Sequence, residues 1–203
     1  MDKNLEEAYQ ALFEGDFARV AELEQLLDSD SFERLNLKSY LAVEEKDFDA
    51  ARRAMSLYLQ KSKDEQDRVH EHIAYHQLGY IERSAGNLEQ ALQWIETEAA
   101  FLQNYFPEDH YRQSVNLYEQ GYIRLQLGNI KAAETWMNQA LSYALESDDL
   151  INQGCAYRGL GEIKRTEGRI NDARHYFEKA FSLFQQAEDF IGAEEVEEMI
   201  DEL

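Results

Sequence analysis

One phrase of the sequence occurs three times at nearly constant spacing. Residues 79–91 read GYIERSAGNLEQA, residues 121–133 read GYIRLQLGNIKAA, and residues 161–173 read GEIKRTEGRINDA. The first two copies begin 42 residues apart, and the second and third begin 40 apart. A period of this length is typical of repeat architectures, in which each repeat is one supersecondary unit that packs on its neighbours. The repeat therefore constrains the fold more than any other feature.

Each copy has the pattern of two helices joined by a tight turn. Before the turn, apolar residues recur with helical periodicity, as at Leu117, Ile123 and Leu127. The turn glycines are predicted to be left-handed C-caps of the first helices: Gly86, Gly128 and Gly168. Two asparagines that follow them are predicted to cap the second helices: Asn87 and Asn129. Earlier glycines and later alanines should let the two backbones approach closely: Gly79, Gly121 and Gly161 with Ala91, Ala133 and Ala173.

The pattern extends towards both ends of the chain. The apolar residue after the turn recurs at Phe17, Phe48, Leu88, Ile130 and Ile170. Small or short residues follow three positions later, at Val20, Ala51, Ala91, Ala133 and Ala173. The final segment, GAEEVEEMIDEL, places Val196, Met199, Ile200 and Leu203 on one stripe. We expect it to form one amphipathic helix that caps the repeats with an acidic outer face.

These residues resemble the tetratricopeptide repeat, whose pattern has Leu-Gly in the first helix and Ala, Phe and Ala in the second. The matching residues are Leu78, Gly79 and Ala91, and then Leu160, Gly161, Ala173, Phe177 and Ala180. The usual period is about 34 residues, so units near 40 predict helices longer by a turn. The usual tyrosine three residues after the glycine is replaced by Glu82, Arg124 and Lys164. Long units of this kind are similar to those of kinesin light chains and bacterial peptide-sensing regulators.

The resemblance implies an all-α fold, a right-handed superhelical α-solenoid of about five helical hairpins with a C-terminal capping helix. We expect residues 1–203 to form a single domain of this type. In such solenoids the first helix of each unit lines the inner, concave face.

The resemblance also indicates which first-helix positions face inward: three before the glycine, one after it and four after it. These positions define a predicted groove for a peptide or protein segment, lined by Tyr9, Asn36, Tyr40, His76, Tyr80, Arg83, Tyr118, Tyr122, Arg158 and Arg165. Tyrosine offers a large rigid surface with a polar tip, and arginine offers a bidentate fork for carboxylates. Both residue types are favoured binding anchors.

Two alternatives to an open groove stay open at the level of sequence. The tyrosines could instead pack on neighbouring helices and close the groove. At the C-terminal end, Glu162, Glu195, Glu198 and Glu202 accompany the arginines. Arg–Glu pairs between adjacent units could neutralise Arg158 and Arg165, or the acidic end could select a basic partner segment. A partner is therefore expected to be either basic or to carry a free carboxylate.

The charge of the chain excludes some partners. Among 203 residues, 41 are acidic and 20 basic, giving a formal net charge of −21. This field repels nucleic acids and anionic membranes, so neither is an expected partner. No run of about 20 apolar residues indicates a membrane span. The start lacks the pattern of a signal peptide, and one cysteine, Cys155, cannot form an internal disulfide. We therefore expect a cytoplasmic protein.

The sequence lacks the usual signatures of catalysis. His72 and His76 are four residues apart, but Ala74 occupies the position that the HExxH pattern starting at His70 requires for its second histidine. Groove-lining or surface histidines are the better interpretation. Cys155 is best explained as a packing residue. No phosphate-binding loop, nucleophile elbow or dinucleotide fingerprint is present. We therefore expect neither enzymatic activity nor a metal or other cofactor.

Three functions fit these observations. The first is a non-catalytic adaptor that binds a protein or peptide in the concave groove. The second is a regulatory or sensory module switched by a signalling peptide or a small ligand. The third is a self-associating structural protein, with a homo-oligomer formed through the N-terminal helix and its apolar residues Leu5, Ala8, Leu12 and Phe13.

Overall fold

The structure, a computed structural model, describes residues 3–203 and consists of α-helices joined by short turns. Eleven helices lie in this range: α1 (Lys3–Phe13), α2 (Phe17–Glu24), α3 (Phe32–Glu44), α4 (Phe48–Asp64), α5 (Arg68–Ser84), α6 (Leu88–Tyr105), α7 (His110–Gln126), α8 (Ile130–Leu145), α9 (Leu150–Thr166), α10 (Ile170–Gln186) and α11 (Phe190–Asp201). Their order fits about five hairpins followed by a single helix. The all-α solenoid class predicted from the repeat is confirmed.

The repeat alignment marks the starts of the second helices. These helices begin at the five aligned apolar residues Phe17, Phe48, Leu88, Ile130 and Ile170. The small residue three positions later is fully buried in every case, since Val20, Ala51, Ala91, Ala133 and Ala173 each have 0% exposure. The pattern therefore fixes both where a second helix begins and which face it buries.

Most of the turns between helices share one hydrogen-bonding scheme. Gly86 has φ +79, and the N–H of the next residue, Asn87, donates to the carbonyl of Glu82 over 2.8 Å. This bond to the residue five positions earlier is that of a Schellman motif. Gly128 and Gly168 adopt the same conformation, with φ +77 and +74. The predicted C-caps are therefore confirmed. Lys46, Gln66 and Glu188 adopt positive φ at equivalent turns without being glycine.

The prediction that the Asn129 side chain caps α8 is wrong, although the residue lies at the predicted position. Asn129 lies at the N-cap position of α8, but its side chain makes no capping hydrogen bond. Aspartates perform this function elsewhere, and Asp47, for example, accepts from the backbone N–H of Ala50 over 2.9 Å. The backbone N–H of Asn129 is already held by the turn, through a 2.9 Å bond to the carbonyl of Arg124. The side chain of Asn87 donates to Glu82 over 2.8 Å.

The helices group into two compact units, residues 1–94 and 95–203, with the boundary inside α6. In unit 1, α1 and α2 enclose a small core around Val20 and Leu23, and α3 to α5 enclose a larger one around Met55 and Ile81. In unit 2, one core lies around Met137 and a second lies around Phe177 and the last helix. Each core is formed by the apolar stripes of consecutive helices.

The helical glycines leave room for close packing between the two helices of a hairpin, as predicted. A Cβ at Gly121 would lie 3.3 Å from the carbonyl oxygen of Ala133 and 3.2 Å from the backbone nitrogen of Met137. The backbones of α7 and α8 therefore approach closely at this point. At Gly161 a Cβ would lie 2.5 Å from ring carbons of Phe177. Here the absent side chain makes room for an aromatic ring.

The three residues that replace the usual tyrosine have a shared structural role. Each forms an ion pair with the second helix of the preceding hairpin: Glu82 with Arg52 at 2.7 Å, Arg124 with Glu96 at 2.8 Å, and Lys164 with Glu134. Lys164 is 3% exposed, whereas the side chain of its partner Glu134 is 35% exposed. An ionic link between hairpins thus stands where the family pattern has an aromatic residue.

Candidate protein-binding surfaces

In unit 1 the predicted binding residues lie on one stripe of the first helices α1, α3 and α5. We name this surface the Tyr40 face and define it by the predicted residues Tyr9, Asn36, Tyr40, His76, Tyr80 and Arg83 together with Gln77, which the sequence did not predict. Helical spacing of three and four residues brings these side chains to one side of their helices, where Tyr80 also packs against the core around Met55 and Ile81. Tyr9 is 38% exposed, and the other six are half-buried.

Contacts within the Tyr40 face connect its aromatic residues. The rings of Tyr40 and Tyr80 lie 5.9 Å apart between centroids, within the range of favourable aromatic pairs. The guanidinium of Arg83 lies 5.5 Å from the centre of the Tyr80 ring. Asn36 Nδ2 donates to the Tyr9 hydroxyl over 3.4 Å. The structure therefore brings together the predicted residues of α1, α3 and α5.

The environment of Tyr40 favours a neutral hydroxyl. Burial raises the pKa of Tyr40, and the neighbouring Tyr80 and Tyr9 act in the same direction, whereas the hydrogen bond from Gln77 opposes it. Gln77 Nε2 donates to the Tyr40 hydroxyl over 2.7 Å. Within the described residues, Gln77 Oε1 and Asn36 Oδ1 are buried and have no hydrogen-bond partner. Two amide acceptors beside the tyrosines are thus left unsatisfied.

In unit 2 the predicted binding residues lie on α7 and α9. We name this surface the Tyr118 face and define it by Tyr118, Tyr122, Arg158, Glu162 and Arg165. The rings of Tyr118 and Tyr122 stack with centroids 5.9 Å apart and planes inclined by 8°. Arg158 Nη2 donates to the Tyr118 hydroxyl over 3.4 Å. Burial raises the pKa of Tyr118, and the nearby Arg158 only partly offsets this effect.

Both arginines of the Tyr118 face are paired with glutamates of the last helix. Arg158 Nη1 donates to Glu195 over 2.8 Å, and Arg165 Nη1 donates to Glu202 over 3.3 Å. Burial raises the pKa of Glu162, although Arg158 and Arg165 act to lower it. Of the two alternatives left open at this end, neutralisation within the chain is the one that the structure contains. The arginines of this surface are therefore not free forks for a carboxylate.

The tyrosines neither stand fully exposed in an open groove nor close it by complete burial. Tyr40, Tyr80, Tyr118 and Tyr122 are half-buried, and the last three pack against the hydrophobic cores of their units. Gln77, which holds the Tyr40 hydroxyl, was not among the predicted residues. It lies two positions before Gly79, off the predicted stripe, and only a long side chain brings it there. Residue spacing alone gives no signal for such a contact.

The histidines and the cysteine have packing contacts. The ring of His70 stacks on Phe32 with centroids 3.8 Å apart, and its Nδ1 lies 2.6 Å from the Tyr58 hydroxyl. His76 is half-buried on the Tyr40 face. Cys155 packs against the core around Phe177, and burial raises the pKa of its thiol. A raised thiol pKa disfavours the nucleophilic thiolate.

The N-terminal helix presents less apolar surface than its sequence indicates. Ala8 is fully buried, and Leu5 and Leu12 pack on the core around Val20 and Leu23. Phe13, which is 64% exposed, is the main apolar side chain left at the surface of this helix. In the described part of the chain, no helix combines the length and the apolar character needed to cross a membrane.

Comparison with known proteins agrees with this geometry. The family model of the tetratricopeptide repeat matches residues 115–186, which include all of α8, α9 and α10 and the C-terminal part of α7. A search of the curated proteins found no significant match.

Several solved structures have a similar fold. BtubC from P. vanneervenii is 19% identical, with a TM-score of 0.64 over 98% of this chain and 86% of its own. A signal-transduction ATPase with a tetratricopeptide-repeat sensor from Pyrococcus horikoshii is 18% identical, with a TM-score of 0.73 over 95% of this chain and 31% of its own. Kinesin light chain TPR-like repeats from Podosopora anserina are 13% identical, with a TM-score of 0.63 over 92% of this chain and 95% of theirs.

At these identities the likeness concerns the fold. The match to the family model itself covers residues 115–186, and the hairpins on either side share the same helical arrangement. Residues 115–186 match the tetratricopeptide repeat in sequence, and the chain shares the fold of the solved repeat proteins.

Proposed function

We propose that the chain is a non-catalytic adaptor that binds a protein or peptide segment on the first-helix surfaces of its repeats. The observation that carries this proposal is the Tyr40 face. Its paired rings of Tyr40 and Tyr80 lie beside a partly exposed Tyr9 and the guanidinium of Arg83. Aromatic and arginine side chains at a surface are the groups that most often dominate protein binding.

The unsatisfied acceptors support a segment with available N–H groups. Asn36 Oδ1 and Gln77 Oε1 are buried without a hydrogen-bond partner among the described residues. An unmade hydrogen bond of a buried group costs about 1–3 kcal/mol. An extended segment laid across α3 and α5 could donate backbone or side-chain N–H groups to these oxygens after a small rotation of either amide.

The test is capture of partners by the intact chain from cells of its source. The variant Tyr9→Ala with Tyr80→Ala removes two aromatic surfaces, and Leu57→Ala removes a 61% exposed apolar side chain on the second helix α4 as a matched control. We expect quantitative mass spectrometry to show partners depleted by at least about fivefold with the tyrosine variant. The control should retain them. Equal capture by wild type and both variants would contradict the proposal, provided that circular dichroism shows unchanged helicity.

Self-association is a second proposal, supported by one observation. Phe13 and Leu26 are each 64% exposed in the first hairpin. Size-exclusion chromatography with light scattering should then show a dimer for wild type that Phe13→Ser with Leu26→Ser converts to a monomer. A wild-type chain that is monomeric at high micromolar concentration excludes it.

A further inference from the structure

An exposed apolar row follows the beginnings of the first helices in unit 2. Tyr111, Ile151 and Ile191 are each the second residue of their helix, in α7, α9 and α11, and successive members are 40 residues apart. Their exposures are 49%, 44% and 44%. Because they occupy equivalent positions of packed repeats, their exposure is a repeated feature of this unit. We name these three residues the apolar row.

Side-chain contacts join the helices that carry the row. Ser114 Oγ on α7 lies 3.2 Å from Asn152 Oδ1 on α9, next to Tyr111 and Ile151. Arg158 on α9 pairs with Glu195 on α11 at 2.8 Å, one turn along from Ile191. Neighbouring packed helices lie about 8–10 Å apart. The row therefore spans about 20 Å with an apolar side chain at each helix.

The row ends at an open depression beside α7. Its volume is about 610 Å³, and its apolar lining is formed by Tyr105, Phe106, Pro107 and Tyr111. Tyr105 is 49% exposed. Glu108 and Glu146 also line it.

Carboxylates border the row along its whole length. The two residues before each first helix are acidic in every repeat of unit 2: Glu108 and Asp109, Asp148 and Asp149, Glu188 and Asp189. The second member of each pair caps its helix by accepting a backbone N–H. Capping does not involve Glu108, Asp148 and Glu188, which are exposed. Asp149 also contributes to the raised pKa of Tyr111, after burial, as expected of a carboxylate close to the row.

We propose that the apolar row and its carboxylate border bind a basic amphipathic helix of a partner protein. This inference rests on the proposed function and names the chemical class of one partner. An α-helix advances about 10.5 Å in seven residues, which matches the spacing of the row. Apolar residues at i, i+7 and i+14 contact Tyr111, Ile151 and Ile191. Lysine or arginine residues on the flank of the helix face Glu108, Asp148 and Glu188. The excess of carboxylates selects a basic helix over an acidic one.

The test uses fluorescence anisotropy with the intact chain. The probe is a labelled, end-capped peptide of about 18 residues with leucine at every seventh position and lysines on the flanking faces. Two comparison peptides have the same composition in scrambled order, or glutamate in place of lysine. We expect the basic amphipathic peptide to bind at least about tenfold more tightly than either comparison peptide. Equal binding of all three peptides overturns the inference.

Two matched variant pairs locate the site. Ile151→Ser with Ile191→Ser should weaken binding at least about tenfold, while Leu145→Ser, which removes a 54% exposed side chain at the end of α8, should change it less than about twofold. Glu108→Lys with Asp148→Lys should reverse the preference towards the glutamate peptide. Glu178→Lys, an exposed residue of α10, should not. Unchanged binding by the isoleucine variant overturns the inference.

The peptide-binding test and the partner-capture test of the proposed function can fail independently. Tyr9→Ala with Tyr80→Ala changes unit 1 and should leave peptide binding unchanged. Loss of cellular partners with that variant, combined with no preference among the peptides, removes the inference and keeps the proposed function. Selective peptide binding with unchanged capture of partners supports the inference and contradicts the proposed Tyr40 face.

Discussion

The first-helix faces of the two units use equivalent positions for different chemistry. On the Tyr40 face of unit 1, Tyr80 is followed by Arg83, whose guanidinium lies over the Tyr80 ring. On the Tyr118 face of unit 2, the arginines of α9 are paired with glutamates of α11. The difference shows that repeat position determines where a side chain lies, whereas the neighbouring helix determines which group it contacts.

The ionic links between hairpins differ in the same way. In unit 1 the first helix contributes the anion, Glu82, and the preceding second helix contributes Arg52. In unit 2 the polarity is reversed, because Arg124 and Lys164 lie on first helices and pair with Glu96 and Glu134. The first-helix position of the link can therefore hold an acidic or a basic residue, provided that its partner on the preceding second helix has the opposite charge. The geometry of the link is thus conserved within the chain while its charges are exchanged.

The largest expected effect comes from breaking the link in unit 1. Glu82→Lys would place a cation against Arg52 at a side chain that is 8% exposed, and should lower the free energy of unfolding by about 3 kcal/mol. Adding Arg52→Glu should recover about half of this loss. Recovery is incomplete because two neighbours suit only the original charges. Asp49, which pairs with Arg52, would repel a glutamate at position 52, and Asn87, which donates to Glu82, would have no acceptor in a lysine at position 82. Urea unfolding measures both changes.

The matched control is Glu44→Lys, which makes the same charge change at an exposed residue of α3. It should alter the free energy of unfolding by less than about 0.5 kcal/mol. If adding Arg52→Glu restores none of the lost stability, the charges of this ionic link cannot be exchanged. That result would contradict the inference that the link accepts either polarity in the two units.

The pH dependence of stability should identify the same carboxylate. The hydrogen bond from Arg52 lowers the pKa of Glu82, with a smaller contribution from Asn87. The stabilisation is therefore fully present above the unfolded pKa, about 4.3, and is lost as the pH falls through the lowered folded pKa. Glu82→Gln should be less stable than wild type at pH 7, and the difference should shrink below about pH 4. Parallel pH profiles would contradict the assignment, and Glu44→Gln serves as the control.

Releasing the arginines of unit 2 should make its face resemble a carboxylate-binding site. Glu195 and Glu202 have side chains that are 53% and 71% exposed, so Glu195→Gln with Glu202→Gln should cost less than about 1 kcal/mol of stability. Affinity for a labelled glutamate-rich peptide with a free terminal carboxylate should rise at least about tenfold. The pair Glu178→Gln with Glu197→Gln removes the same charge elsewhere. An equal gain with that control would mean that net charge, and not release of the arginines, is responsible.

The smallest effect compares helix caps in the two units. Asp47→Ala removes a capping hydrogen bond to Ala50 and should cost about 1 kcal/mol. Asn129→Ala removes no such bond and should cost less than about 0.5 kcal/mol. Thermal unfolding of the two variants tests the difference. A larger loss at Asn129 would show that its side chain stabilises α8 by a contact other than capping.

Much of the fold and part of the site could be predicted from the sequence. The repeat located the turns and the buried alanines, because backbone conformation and close packing restrict which residues fit at Gly86, Gly121 or Ala133. The spacing also placed Tyr40 with Tyr80 and Tyr118 with Arg158. Long side chains were harder to place. Gln77 reaches Tyr40 from a neighbouring position, and which of several glutamates pairs with Arg158 depends on rotamers and helix offsets that spacing does not encode.

The residues of the apolar row are 40 apart in the sequence, but this spacing alone does not predict that they are exposed. Tyr111, Ile151 and Ile191 lie seven residues before Tyr118, Arg158 and Glu198, which were predicted to face inward. Seven residues are about two helical turns, so the row lies on the same stripe of each helix, two turns earlier. An apolar residue at such a position is equally typical of a buried helix face. Only the exposure of all three shows that they form a surface.

The central claim is that the Tyr40 face contacts a partner protein, and photo-crosslinking tests it most directly. Tyr80 is replaced by p-benzoylphenylalanine, which keeps an aromatic ring at the site, and the chain is irradiated in cells of its source. The control places the same residue at Leu57, which is 61% exposed on α4. We predict discrete crosslinked products at position 80 that are absent at position 57. No product at position 80, or the same products at both positions, would contradict the claim.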